Sequence, residues 1–415
     1  MIDPCSRESG AVLSIEDALD HIKAAITPVS GTEKLTLKPA LGRVLAESVY
    51  SPVNIPHDRN AAMDGYAFAS RDSLHGQAFT LGLAGTSWAG RPFDGALQPG
   101  QCVRIFTGAV VPEQADSVVM QEQVQVQEQT VHFPADTLAL QNIREIGEDV
   151  KQGSCLIAQA KKLTAVDLGL LASAGIGQLT VNRQLKIAYF STGDELIALG
   201  QPLECGKIYD SNRTLLGGLL ADFCYEAVDL GVIPDNKQLL EERFISASKI
   251  YDVIITTGGV SVGEADYVKE ILHKCGEVNF WKIAIKPGKP LAFGKIGSCY
   301  FFGLPGNPVA VAVTLQQIVA PALRQLSGVL PLKPLRVMAT CSSALKKTPG
   351  RQEYQRGILS QDEHGEFFVV SAGRQGSNIL SSMSQSNCYI ILPKHCGNIK
   401  AGAKVAVEPF SLLLS

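Results

Sequence analysis

The sequence predicts an α/β protein carrying additional β-rich domains. Three observations support this. From about Lys186 the chain follows a repeating rhythm of apolar strand, polar loop and helix. Between Phe79 and Phe133, short apolar runs such as "CVRIF" are separated by Gly and Pro, as in a small β domain. Beyond Pro331 and Pro334, short strand patterns alternate with turns such as "DEHG".

In chain order, Ser14 with Asp17 makes a capping box. Ile15, Ala18, Leu19, Ile22 and Ile26 then share one helix face. Met63, Tyr66 and Phe68 in "AAMDGYAF" read as packing residues. "VVMQEQVQVQ" alternates as a strand with one wet face. Thr164 with Asp167 is a second capping box, and that helix stops at Gly175. Next come the strand "LKIAYFST", a helix with Asn212 at its N-cap, the strand "AVDLGVI", the helix "KQLLEERFISASK" and the strand "YDVIITT". A helix stopped by Gly276, and "CYFFGLPGNP" with the helix after it, complete a parallel, doubly wound sheet. "LRVMAT", "EYQRGIL", "EFFVVSA", "CYIIL" and "KVAVEPF" are the strands of the last domain. The implied domains are 1–51 with 149–182 (helical, linking), 52–148 (β-rich, inserted), 183–330 (α/β) and 331–415 (all-β).

At 415 residues the chain is long enough for about three domains. It is 46% hydrophobic and 19% charged, with net charge −3, so nothing marks a nucleic-acid surface. The start, "MIDPCSRESGAV", lacks the basic and apolar parts of a signal peptide. Gln316 and Gln317 interrupt the apolar stretch Pro308 to Leu323, which reads as a core helix and not a membrane span. Ten cysteines without a C-x-x-C pair argue against zinc and disulfide frameworks and fit a reducing cytoplasm.

The chemistry gathers at strand ends, where doubly wound sheets bind ligands. In "TTGGVSVGEAD", Gly258 and Gly259 allow backbone N–H groups to approach an anion. Thr256, Thr257 and Ser261 add hydroxyls. The alternative is an ordinary turn with Asp266 as a simple cap. "STGDEL" and "GLPGNP" are similar loops, the latter with Pro305 and with Pro308 in a first helical turn. "KIAIKPGKP" supplies Lys282 and Lys286, on one face if it is a strand. Glu195, Asp235, Glu264 and Asp266 fall on the same sheet edge. Crowded carboxylates repel, so lysines or a divalent cation such as Mg²⁺ would compensate them. Asp194 and Glu264 read as solvated turn residues. Asp64, Thr107 and Asp149 read, from the residues alone, as turn and strand-end residues.

Taken together, "MDGYA", "TGAVVP", "NIREIGED", "STGDEL", "YDSN", "TTGGVSVGEADY", "KIAIKPGKP" and "GLPGNPVA" resemble, in this order, the MoeA family of molybdopterin molybdenumtransferases, which includes the gephyrin E domain. The resemblance covers nearly the whole chain. It implies a cytoplasmic transferase that inserts molybdenum from molybdate into adenylylated molybdopterin and releases AMP, assisted by a divalent cation. It implies an elongated subunit and a homodimer, with Asp64 and Thr107 acting across the interface in a composite site. By the same resemblance Glu195, Asp235 and Asp266 are catalytic and metal-binding, and Asp149 is catalytic. Gly258, Gly259, Ser261, Lys282, Lys286, Pro305, Pro308 and Ser377 are substrate-binding. One departure is Ala61, where a serine is usual in the family. A gephyrin-like binding scaffold and a nucleotide or sugar-phosphate hydrolase are the rival readings. Retained acids and lysines argue against the first, and the β-rich domains with "MDGY" against the second.

Overall fold

Seven strands form the sheet that positions the site, in the order Val12–Leu13, Glu277–Ile283, Pro290–Ile296, Cys299–Leu304, Val253–Thr257, Lys186–Thr192 and Glu226–Ile233. The computed structural model describes residues 12–74, 76–221, 225–258, 267–331 and 333–410. The last four strands of the sheet are mutually parallel. Pro290–Ile296 is antiparallel to both of its neighbours, so the sheet is mixed and not fully parallel as expected. Only Gly297 and Ser298 separate Pro290–Ile296 from Cys299–Leu304. So short a link can make a hairpin but not a crossover.

Alternate strand residues feed two cores, as double winding requires. Ile187, Tyr189, Val253, Ile255 and Phe302 pack against the helices Ile15–Ala25, Ser211–Ala221 and Pro308–Thr314. Ala188, Phe190, Ile254 and Phe301 pack against Lys237–Ser248 and Tyr267–Cys275. Ser14 and Thr164 both form the anticipated capping boxes. Ile15–Ala25 buries Ile15, Ala18 and Ile22 in the α/β core, and Val12–Leu13 joins the sheet beside it. Pro308–Leu326 is the one described helix apolar and long enough to cross a membrane, and most of it is buried in the core.

The helix expected to have Asn212 as its N-cap begins two residues earlier than that cap implies, at Ser211. Asp210 caps it, accepting from Arg213 N at 3.1 Å. Asn212 instead donates to Gly306 O at 2.7 Å. Cap preference at Asp and Asn is similar, so the sequence alone does not separate them.

The second sheet holds Gly65–Phe68 between Ser117–Met120 and Gln101–Ile105, and continues through Phe79–Ser87, Thr130–Phe133 and Gln125–Gln127. Tyr66 and Phe68 are buried, but Met63 is exposed. The alternating "VVMQEQVQVQ" is not one strand, because a short helical turn at Gln121–Gln123 breaks it. Ribbons that pair Thr32–Thr36 with Gln178–Asn182, and Val49–Tyr50 with Cys155–Ile157, carry the chain towards this sheet and back. The five expected C-terminal strands all form. Gln352–Gln361 pairs with both Phe367–Ser371 and Cys388–Leu392, which closes them into a barrel.

At the amino ends of the parallel strands, Arg183 grips Asp252 with two bonds of 2.7 Å. Lys186 N adds a third, at 2.9 Å. Burial acts to raise the Asp252 carboxyl, but the bonds from Arg183 outweigh it and hold it below the ordinary aspartate value. Its stabilising contribution is therefore present above that ordinary value and is lost as pH falls through the folded one. Asp252→Asn is expected to cost on the order of 2 kcal/mol at pH 7. Denaturant titrations across the acid range should show the cost shrinking as pH falls below the ordinary aspartate range.

Candidate functional site

A parallel ladder turns all its carboxyl ends to one edge. Thr192 is in register with Ile233, Ser191 with Thr257, and Thr257 with Leu304. The loops bearing Glu195, Asp235, Gly258, Pro305 and Pro308 therefore leave the sheet side by side. Glu277–Ile283 lies two strands from Cys299–Leu304 through two antiparallel pairings, so Lys282 also sits at this edge. These are the strand ends at which the sequence places the oxyanion loops. Gly259, Ser261 and Asp266 lie outside the described residues.

The edge is packed closely enough to require glycine. Gly258 has φ +87°, and a Cβ there would stand 2.8 Å from Thr192 O. Gly193, at φ +141°, has Glu195 folded over it, with Oε2 2.5 Å from where a Cβ would be. Below the loops the Ser191 and Thr257 hydroxyls meet at 2.8 Å in the interior. The Thr256 hydroxyl is buried with no hydrogen-bond partner among the described residues, as is Asn212 Oδ1. An apolar groove lined by Leu199, Tyr209, Thr214, Leu215 and Leu380 opens beside Asp210 and Ser211.

Three acids crowd one end of the edge. Asp235 N donates to Asp194 Oδ1 at 3.1 Å. Partial burial pushes the Asp235 carboxyl above its ordinary value, and the charges of Asp194 and Glu195 push it further. Asp194 is thus part of the electrostatics of the site, beyond the turn role read from the sequence. Among the described residues, no three His, Cys, Asp or Glu side chains are grouped to hold a metal ion by themselves.

The lysines are arranged differently from one continuous strand face. Ile283 and Ile285 are buried, whereas Lys282 is exposed and Lys286 half-buried, so the sides do alternate. But the chain leaves the central sheet after Ile283, and Ile285–Lys286 pairs with Gln352–Glu353 of the C-terminal barrel. Lys286 Nζ lies 3.1 Å from the buried Glu353 Oε1.

Asp64 and Thr107 belong to the second sheet. Thr107 donates to Asp64 Oδ1 from its hydroxyl at 2.7 Å and from its backbone N–H at 2.8 Å. These two bonds hold the Asp64 carboxyl below its ordinary value. Asp149 is exposed in a turn, its N–H bonded to Ile55 O at 3.0 Å. The structure thus unites Asp64 with Thr107, but sets them on a different sheet from Glu195 and Asp235.

Ser377 O accepts from Val309 N at 3.1 Å, in the first turn of the helix that follows "GLPGNP". The loop carrying it is held by a residue that the sequence reading did not single out. Arg356 is 1% exposed. It donates to Arg374 O at 3.0 Å, Gly376 O at 2.9 Å, Gln375 O at 3.3 Å and Ser382 Oγ at 3.1 Å. All four are neutral oxygens. Burial lowers the guanidinium's proton affinity. The available signal was "QEYQR", a polar run inside an expected barrel strand.

Comparison with known proteins bears on the same regions. Residues 13–175 match the MoeA N-terminal region (domain I and II), 188–325 a probable molybdopterin binding domain, and 338–410 the MoeA C-terminal region (domain IV). The chain is 46% identical to a molybdopterin molybdenumtransferase of Haemophilus influenzae over 97% of this chain and 100% of that protein. It is 35% identical to one of Nostoc, covering 91% and 88% of the two chains. It is 33% identical to gephyrin of Dictyostelium discoideum, covering 90% of this chain but 58% of that protein. A solved molybdopterin biosynthesis moeA protein of Pyrococcus horikoshii superposes with TM-score 0.83 at 28% identity, over 96% of this chain and 100% of that one.

Replacing Arg356 by Met leaves the carbonyls of Arg374, Gln375 and Gly376 without their donor. The expected cost is on the order of 3 kcal/mol in denaturant unfolding. Native-state hydrogen exchange should accelerate locally, across residues 373–377.

Proposed function

The chain belongs to the MoeA family of molybdopterin molybdenumtransferases, transferases of molybdenum cofactor biosynthesis, and we propose that it inserts molybdenum from molybdate into adenylylated molybdopterin with release of AMP. The observation that carries this reading is the shared edge of the parallel strands. Glycine-permitted backbone, buried hydroxyls, Lys282 and the acids Asp194, Glu195 and Asp235 lie at or just beyond it. A phosphate-bearing substrate would find close N–H donors at Gly258 and Gly259 and at the helix start after Pro305, with Pro308 in its first turn. Lys282, Lys286, Ser261 and Ser377 would hold the anionic groups.

The acids fit a divalent cation, taken here as Mg²⁺. Asp235 is raised first by burial and then by the charges of Asp194 and Glu195, so a positive charge beside it would relieve that repulsion. Mg²⁺ keeps several waters and uses one or two carboxylates together with substrate phosphates, so it does not need a three-carboxylate cage. Glu195 and Asp235 would hold it, with Asp266 as a third oxygen donor. Such a cation neutralises developing charge on the phosphate that loses AMP. Asp64, fixed by Thr107, and Asp149 would complete the site from a second copy of the chain in a homodimer. Such an enzyme works in the cytoplasm.

The direct test mixes the protein with adenylylated molybdopterin, Mg²⁺ and molybdate. AMP release and pterin-bound molybdenum are followed together. Molybdate-dependent AMP release matched by molybdenum in the pterin is expected. Substrate that binds but never turns over would reject the transferase reading.

A second outcome concerns Asp235. Its folded pKa lies above the unfolded one, so its contribution to stability is full below the ordinary aspartate value and is lost as pH rises through the folded value. Without divalent cation, Asp235→Asn should therefore melt higher than wild type at pH 7 and not below the aspartate range. Millimolar Mg²⁺ should raise the wild-type melting temperature and leave Asp235→Asn nearly unmoved.

A further inference from the structure

Lys286 is held by the barrel more firmly than by the domain whose edge it serves. Its strand, Ile285–Lys286, is two residues long, and among the described residues its one ladder partner is Gln352–Glu353. Lys286 and Glu353 are directly in register, so their side chains lie on one face of that pair. The chain then turns at Gly288, at φ +111°, where a Cβ would stand 2.5 Å from Thr314 Oγ1. The lysine backbone is thus confined between the barrel and the core helix.

Glu353 is 3% exposed. A carboxylate so buried is costly unless both oxygens find donors. Here Oε1 takes Lys286 Nζ at 3.1 Å and Oε2 takes Gln355 Nε2 at 2.9 Å. Gln355 is itself buried and also donates to Lys346 O at 2.8 Å, which fixes its amide and so the plane of the carboxylate. The Lys286 side chain, in contrast, is 43% exposed. An ammonium has three donors, and Glu353 accepts from it at one point, leaving donors that open to solvent.

We propose that Glu353 is a positioning residue for Lys286: a buried carboxylate of the C-terminal barrel that holds the ammonium in place and aims its remaining donors at a tetrahedral oxyanion. This rests on the reading that Lys286 binds the anionic substrate. It assigns the barrel a part in anion recognition through one side chain that never touches the anion. The ligand class is a tetrahedral oxyanion, molybdate or a phosphate group.

The test uses the full chain and molybdate alone as probe, with affinity measured by titration calorimetry. Wild type, Glu353→Gln, Lys286→Gln and the double variant are compared, and KM for molybdate and kcat are measured in the AMP-release assay. Glu353→Gln keeps the shape and removes the charge. It should weaken molybdate binding about tenfold and raise KM by a similar factor, with kcat within about twofold, the scale of one charge-assisted hydrogen bond. In the Lys286→Gln background the same change should have no further effect, and Glu353→Asp should restore part of the affinity. If Glu353→Gln fails to fold, Gln355→Met loosens the carboxylate with the ion pair intact, and a smaller rise in KM is expected. Unchanged affinity, tighter binding, or an equal loss with and without Lys286 would overturn the proposal, as would a wild type that binds no molybdate. Glu353-dependent binding without AMP release would leave this inference standing and remove the transferase reading. Normal AMP release with an indifferent Glu353→Gln would do the reverse.

Discussion

The parallel pairing of Glu226–Ile233, Lys186–Thr192, Val253–Thr257 and Cys299–Leu304 is the constraint from which the rest of the site follows. Parallel strands need crossovers, and the crossovers here are helices that cover both faces. A strand inside such a sheet must therefore be buried on both sides, as Val253–Thr257 is throughout, whereas the edge strand Glu226–Ile233 keeps Glu226 and Asp229 exposed. The polar chemistry of Val253–Thr257 is forced to the strand ends. The close approach of those ends then selects glycine at 258, where the Thr192 carbonyl occupies the space a side chain would take, and the backbone at φ +141° selects it at 193. The Arg183–Asp252 fork closes the opposite edge, so the two ends of one strand serve different purposes.

Charge is divided across this edge. At one end burial raises the Asp235 carboxyl and the charges of Asp194 and Glu195 raise it further, an arrangement that is unfavourable in the protein alone. At the other end Lys282 is open to solvent while Lys286 is neutralised by a buried acid from another domain. A ligand carrying both a phosphate and a cation would correct both imbalances at once. That reciprocity distinguishes the edge from the surface pairs Lys237–Glu270 and Lys274–Glu241, which bridge two helices and are already complete.

What could be read from the sequence depended on how local the physics was. The capping boxes at Ser14 and Thr164 were legible because a box is three residues long and satisfied within itself. Strand and helix order was legible because period and punctuation are local, and so was the gathering of loops on one edge once parallel pairing was assumed. The antiparallel strand Pro290–Ile296 was not, since only the brevity of Gly297–Ser298 betrays it. The break in "VVMQEQVQVQ" was hidden by an alternation that a short helical turn interrupts. Arg356 and Glu353 were missed for a further reason. The carbonyls that Arg356 holds begin 18 positions away and Lys286 lies 67 positions from Glu353, and a buried charge in a strand has no sequence period. The union of Asp64 with Thr107, 43 positions apart, likewise required the fold.

The passage of the chain from one sheet to the other between Ile283 and Ile285 also bears on modularity. The C-terminal barrel follows the α/β unit in sequence and looks like an appendage that could be exchanged or trimmed. Yet a strand that precedes the last core helices is registered on the barrel, and Gln352 N reaches back to Ala284 O at 2.8 Å. Covalent order and structural order disagree here. The barrel is stitched into the α/β unit upstream of the point where it begins, so the boundary near residue 331 separates two stretches of sequence without separating two independent parts.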